Sequence, residues 1–340
     1  MKRSLLECSL GLAFTVSALA ADAVFSPDGQ SVTFLPPTDT TNPLWRVDLN
    51  TKVIDKIQLN LPWGQTVRSL ACGAEGETLV LTGQAVYVHD AKGTRRLCDT
   101  GEVHDVQDLA TAPPKAANGM ADWLIVTGID KDGPAPHTGR ICYARKPGEM
   151  AFVPVFSRRI DKVGAGAFTP NGRYFFQADD ALWEGHFSFT PDDADANPIL
   201  DAVCIARLEY RDSSISNTGM FYASNTLAAA GERVYVALGG RHGDDRLLRV
   251  TMPAKPPPND GTDSHEALVA HYAMESKVLS SAKVLDGGQH IGSLAATLVK
   301  GEERVFYLVR PDFAGARIKM MLWSSRTGKP EVIGEFEAKQ

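Results

Sequence analysis

Three observations in the 340-residue chain point to one fold class. A glycine followed at once by a β-rich run recurs at Gly29, Gly76, Gly119, Gly172, Gly231 and Gly301. A second set of short runs precedes these glycines, and a third follows them. No long helix interrupts the series. Four short antiparallel strands, repeated around the chain, predict an all-β protein: a β-propeller of six four-stranded blades. Seven blades is the alternative, if the stretch from Pro253 to Gly287 holds a further pair of strands.

The runs behind the glycines are Ser31 to Leu35, Thr78 to Thr82, Trp123 to Thr127, Arg173 to Gln177, Arg233 to Leu238 and Arg304 to Val309. β-Branched and aromatic residues dominate them, as in buried strands. Ahead of the glycines lie Ala23 to Phe25, Val67 to Ala71, Val106 to Ala110, Val163 to Phe168 and Ile291 to Ala295, all with short side chains among them. Such residues suit the innermost strands of radially arranged sheets, which crowd toward a common axis. The third set is Leu44 to Leu49, Ala85 to Asp90, Arg140 to Ala144, Leu182 to Phe187, Leu247 to Met252 and Lys319 to Ser324. Three of these carry Leu-Trp, at Trp45, Trp183 and Trp323, a large apolar group fit to fill the gap between sheets. Turn residues then lead to a fourth run, as in Arg95-Arg96-Leu97 and Glu331-Val332-Ile333.

Successive glycines stand about 43 to 70 residues apart, so the unit keeps its design while its loops lengthen. Thr111 to Gly119 is rich in Pro and Ala, and Met252 to Ser264 holds Pro256-Pro257-Pro258 and reads as a solvated loop. His265 to Ser276 is read as a short helix capped by Ser264, with an outer strand as the alternative. Gly239-Gly240 and Gly287-Gly288 are read as turns between strands.

The sharpest copies of the glycine turn are Phe25-Ser26-Pro27-Asp28-Gly29, followed by Phe34 and Leu44-Trp45-Arg46-Val47-Asp48-Leu49, and Phe168-Thr169-Pro170-Asn171-Gly172. These stretches resemble the WD40-like repeat of TolB-type propellers. In such a turn Pro fixes one backbone angle, Asp bonds back to the chain and Gly accepts a positive φ. The other units keep the Gly without the Pro, as in Ala74-Glu75-Gly76, Ala117-Asn118-Gly119 and Ala229-Ala230-Gly231. The resemblance implies an exported or periplasmic propeller of a kind that commonly serves as a binding platform. Relatives with this repeat also occur as gating domains of peptidases and in sugar-processing enzymes, so the fold alone sets no activity. The matching motif is a structural turn, and no site residue is carried over with it.

Met1-Lys2-Arg3, the apolar stretch Leu10 to Leu19 and Ala18-Leu19-Ala20 have the design of a signal peptide cleaved after Ala20, or else after Ala23. The expected organisation is therefore a signal peptide over 1–20 and a single propeller domain over 21–340, periplasmic or secreted. Cys8 precedes the apolar stretch, whereas a lipid-anchored cysteine would follow it. No other segment reaches the roughly 20 apolar residues of a transmembrane helix, so the mature chain is expected to be soluble. A net charge of -6 without a basic run argues against nucleic acid as partner. Cys72, Cys98, Cys142 and Cys204 would remain after cleavage, either paired, with Cys72–Cys98 one possibility, or as four buried thiols.

The chain has no Gly-x-Ser-x-Gly, no phosphate loop, no Cys-x-x-Cys and no His-Glu-x-x-His. Asp192, Asp193, Asp195 and Asn197 begin like a calcium loop, but Pro198 stands where such a loop needs Gly. No metal, cofactor or catalytic set is assigned. The eight histidines are His89, His104, His137, His186, His242, His265, His271 and His290. A propeller can bring side chains from separate blades to its axis. His104 with Asp105, and Gln289 with His290, each precede or open an innermost strand and are placed at the channel mouth, with Arg68 and Asp108 along the channel. The expected function is binding of a protein, peptide or envelope polymer without catalysis. The alternative is a lyase or hydrolase acting on a sugar or lactone at the central channel.

Overall fold

The computed structural model describes residues 23–37, 43–101, 103–114, 116, 119–130, 141–157, 163–178, 181–188, 198–211, 220–240, 244–254, 282–311 and 317–337. The segment read as a signal peptide, the helix expected over His265 to Ser276 and the calcium-like cluster near Asp192 lie outside these residues. No helix among the described residues is long and apolar enough to cross a membrane.

Strands form six antiparallel blades. Blade 1 consists of β1 (Ala23–Phe25), β2 (Ser31–Phe34), β3 (Pro43–Asp48) and β4 (Ile54–Gln58), and blade 2 of β5 (Val67–Cys72), β6 (Thr78–Thr82), β7 (Ala85–Asp90) and β8 (Gly93–Asp99). Blade 3 is β9 (Val103–Thr111), β10 (Leu124–Asp130), β11 (Ile141–Arg145) and β12 (Val153–Pro154). A short strand, β13 (Phe156–Ser157), joins blade 4 in parallel beside β17 (Ile199–Arg207), outside β16 (Ala181–Ser188), β15 (Tyr174–Ala178) and β14 (Val163–Phe168). Blade 5 holds β18 (Glu209–Arg211), β19 (Met220–Ala230), β20 (Arg233–Gly240), β21 (Asp244–Thr251) and β22 (Lys283–Gln289). Blade 6 holds β23 (Ile291–Val299), β24 (Glu302–Val309), β25 (Arg317–Ser324) and β26 (Pro330–Glu337). The count is six.

Each innermost strand packs on the innermost strand of the next blade, β1 on β5, β5 on β9, β9 on β14, β14 on β19 and β19 on β23. β23 in turn packs on β1, which closes the ring. A blade inside such a ring has neighbours on both faces, so its strands bury both sets of alternating side chains. β6 and β15 are buried at every residue, whereas β4, on the rim, buries none fully. The apolar residues accordingly sort into six clusters, one per seam. The Leu-Trp strands fill these seams as expected. Trp45 packs on Phe336 between blades 1 and 6 (4.8 Å), and Trp323 is buried between blades 5 and 6.

One local expectation is corrected, and of the two readings of the cysteines the unpaired one holds. Gly287-Gly288 and Gly239-Gly240 lie within β22 and β20, not in turns. At Gly287 a Cβ would stand 2.8 Å from Nη1 of Arg246, so a side chain there would have to displace the end of that arginine. Cys72, Cys98, Cys142 and Cys204 are all free thiols. Cys72 and Cys98 occupy the innermost and outermost strands of one sheet, with β6 and β7 between them. At about 4.8 Å per strand spacing they stand beyond disulfide reach.

Candidate functional site

From its innermost strand outward each blade runs through four consecutive antiparallel strands, an even number, so the chain leaves each blade on the face where it arrived; β13 and β18 are short extra strands on the connections into blades 4 and 5. All innermost strands therefore begin on one face, called here the mouth face. The glycine turns lie on the other. At Ser26–Gln30, Gly29 N–H donates to Ser26 O (2.8 Å), while Asp28 Oδ1 accepts from Ser26 Oγ (2.7 Å) and from Gln30 N–H (3.0 Å). Gly29 has φ +65°, and the sibling turn at Thr169–Arg173 repeats the pattern with Gly172 at +87°.

Most innermost strands are bulged near their start. Register with the second strand shifts between Val67 and Ser69 in β5, between Val163 and Gly166 in β14, between Ala223 and Thr226 in β19 and between Gly292 and Ala295 in β23. In blade 3 it shifts where Asp105 to Gln107 face the stretch between Thr127 and Ile129. A bulge re-aims the side chains it carries. Arg68, the bulged residue of β5, is exposed, as are His104 and Asp105 in β9. Asp105 adopts φ +44°, and its Oδ2 accepts from Gln107 Nε2 (3.2 Å). His290, exposed between β22 and β23, adopts φ +46°, and Ser293 in the next bulge +49°. Gln289 ends β22, paired with Asp244. The mouth face thus gathers Arg68, His104, Asp105 and His290 from three places around the ring.

Asp108 is placed differently. It is 3% exposed, and its carboxylate joins three blades: Oδ1 accepts from Ser69 Oγ of blade 2 (3.3 Å), and Oδ2 accepts from Gly166 N–H of blade 4 (2.7 Å). Other seams carry comparable stitches below the mouth. Gln177 Nε2 donates to Thr226 O (3.3 Å) between blades 4 and 5, and Asp245 Oδ2 accepts from Ile291 N–H (2.7 Å) between blades 5 and 6. Further out, Glu303 of blade 6 receives Arg233 Nη1, Tyr235 OH (2.8 Å) and Arg249 Nη1 (3.2 Å) of blade 5. A carboxylate held in this way orders the ring and is poorly disposed to take a substrate proton. Burial, and after it the Asp108 charge, pushes the Cys142 thiol far up, and such a thiol stays protonated and inert.

Among the described residues no group of three or more His, Cys, Asp or Glu side chains is placed to hold a metal ion. His89 and His186 belong to β7 and β16, away from the strand starts, and His137, His242, His265 and His271 lie outside the described residues.

One residue on this face escaped the sequence reading. Trp63, in the loop from β4 to β5, is 101% exposed. Its signal was an aromatic residue in Pro62-Trp63-Gly64, a turn sequence that leaves no place for burial.

No protein-family model matches the chain, and no curated protein is significantly similar to it. Solved structures do match. A structural-genomics target provisionally named a gluconolactonase shares 11% identity over 94% of this chain and 91% of its own, with a TM-score of 0.51. The likeness is one of fold. A luciferin-regenerating enzyme gives a TM-score of 0.49 at 9% identity, over 85% of this chain and 83% of its own. TolB from Acinetobacter baumannii gives 0.40 at 14% identity, over 68% of this chain and 51% of its own. The first of these agrees with the fold read from the strand order.

Proposed function

We propose that the protein is an exported binding module that engages a protein, peptide or envelope polymer on its mouth face. One observation carries the reading: exposed polar side chains from separate blades, Arg68, His104, Asp105 and His290, open the innermost strands, and two of them stand on left-handed backbone. A non-glycine residue held there costs roughly 1–3 kcal/mol, and such strain clusters at ligand clamps and active sites. The buried acids below this face, Asp108 and Asp245, already serve the seams, which favours binding over proton transfer.

The test is retention of solubilised cell-envelope material from the source cell by the immobilised mature chain. Saturable retention should fall about tenfold or more in an Arg68→Glu, His104→Ala double variant, the size expected when a charged contact is reversed. Turnover of glucono-δ-lactone that disappears in His104→Ala or His290→Ala would replace this reading with that of a sugar-lactone enzyme working at the channel.

A further inference from the structure

Trp63 is the largest apolar side chain on the surface, and it is held out rather than left loose. Of the five tryptophans, Trp123 and Trp323 are buried and Trp45 and Trp183 half-buried; only Trp63 is fully exposed. Pro62 to Gln65 forms a type II turn, with Gln65 N–H donating to Pro62 O (3.2 Å) and Gly64 at φ +81° in the position that needs a glycine. The turn is pinned on both sides. Leu59 is buried in the seam between blades 1 and 2 and Leu61 packs against it. On the far side, Gln65 Oε1 accepts from Thr82 Oγ1 (2.6 Å) and Tyr87 OH (3.2 Å), and Gln65 Nε2 donates to Gln84 Oε1 (3.2 Å). Trp63 therefore presents its ring from a fixed tip, so a ligand that stacks on it orders little new backbone.

The same anchor holds the start of β9. Thr100 N–H donates to Gln84 O (2.9 Å), Thr100 Oγ1 to Gly83 O (3.4 Å) and Val103 N–H to Thr100 O (3.2 Å). The Gly83–Gln84 turn thus carries the Trp63 turn on one side and the strand of His104 and Asp105 on the other. The other exposed residues of this loop, of the Gly83–Gln84 turn and of the turn bonded to it are Asn60, Pro62, Gly64, Thr66, Gly83, Gln84 and Gly101. They are small or neutral, and they offer a hydroxyl and amide groups in place of apolar cover.

That composition selects the ligand class. An aromatic anchor for a protein partner is usually ringed by contacts that exclude water, and the exposed residues of these turns supply no large apolar group for one. A pyranose ring fits better, because its C–H face packs on the negative face of an indole while its hydroxyls take neutral donors and acceptors. We propose that Trp63 is the stacking platform of a saccharide-binding subsite, which seats one ring of a neutral glycan chain on the mouth face. This rests on the reading of that face as the binding face and assigns its ligand to the saccharides.

The test uses the mature chain with chitohexaose and maltohexaose as probes and reads acrylamide quenching of tryptophan emission, in which Trp63 is the most accessible fluorophore. The expected result is that one hexasaccharide protects the quenchable component and shifts it to the blue. Trp63→Ala should weaken that binding about tenfold, Trp63→Phe should keep most of it and Trp183→Phe should leave it unchanged. Binding undiminished in Trp63→Ala, or protection by a proline-rich peptide and by neither hexasaccharide into the millimolar range, overturns the saccharide platform. The two readings fail separately. Loss of envelope retention in the Arg68→Glu, His104→Ala variant together with unchanged retention in Trp63→Ala leaves the mouth face as the binding face and removes the platform.

Discussion

At the scale of single residues, Asp28 shows how a local turn becomes a pH-dependent term. Its carboxylate accepts the Gln30 N–H and the Ser26 hydroxyl, and these bonds hold the group below its ordinary value. The unfolded chain titrates near the usual aspartate value of about 3.9. The depressed folded value means that the contribution is complete above that pH and is lost as pH falls through the folded value. The group is open to water, so the contribution is less than about 1 kcal/mol. Blade 4 uses Asn171 at the same place, with Thr169 as its hydroxyl partner, so Asp28→Asn should fold normally. Urea unfolding of the two proteins should differ most near neutral pH and converge as the pH falls below the lowered folded value, and a gap that widens on acidification would contradict the assignment. Such turns were legible in the sequence because every partner lies within five residues. Asp108 and Glu303 were not, since their partners stand 39 to 70 residues away and only the closed ring brings them together. Placing Asp108 along the channel followed from its strand alone, and a strand assignment does not reveal that both carboxylate oxygens meet neighbouring blades.

At the scale of elements, the glycine turns do more than reverse the chain. A Cβ at Gly29 would stand 2.2 Å from Cγ2 of Val299 in blade 6, so the blade 1 turn closes against its neighbour as well as adopting positive φ. Gly301 has φ +83° and nothing within 4 Å of the place a Cβ would take. Alanine at Gly301 should therefore cost only the backbone term, about 1 kcal/mol. Gly29→Ala carries the same term and the contact with Val299, and should cost roughly 2–4 kcal/mol in the urea midpoint. Equal losses would mean that the seam relaxes freely around the turn. Most strands were legible to within a few residues, because buried β runs and turn residues alternate clearly. The innermost strand of blade 5 was missed. β19 runs for 11 residues from Met220, with Ser-Asn at its register shift, and that polar pair breaks the apolar pattern which marks its siblings. The bulges that set the mouth leave no comparable trace, since they are faults in pairing, not in composition.

At the scale of the whole molecule, every blade is built from consecutive strands, so among the described residues no strand from one end of the chain completes a sheet at the other. The ring closes at the seam between blades 6 and 1 by packing and by a long-range hydrogen bond. Phe34 meets Phe306 (5.2 Å) and Phe336 (6.3 Å), and Arg304 Nη1 donates to Gly29 O (2.9 Å) across the seam. In topology, the step from β26 to β1 is then equivalent to the other steps from an outermost strand to the next innermost one. Those steps include the single residue His290 and the loop between Gln58 and Val67. Joining Glu337 to Ala23 through a flexible linker the length of the longer of these, and opening the chain at exposed Gly101, should give a circular permutant with the same six seams. Loop closure entropy changes slowly with length, so its melting temperature should fall by no more than a few degrees. Phe34→Ala, which empties the closing seam, should cost about 3–5 kcal/mol in either connectivity. A permutant that fails to fold while Phe34→Ala in the parent remains near wild type would show that the ring depends on where the chain is joined. Stability that survives permutation and collapses with Phe34 would place the closure in the packed aromatic seam.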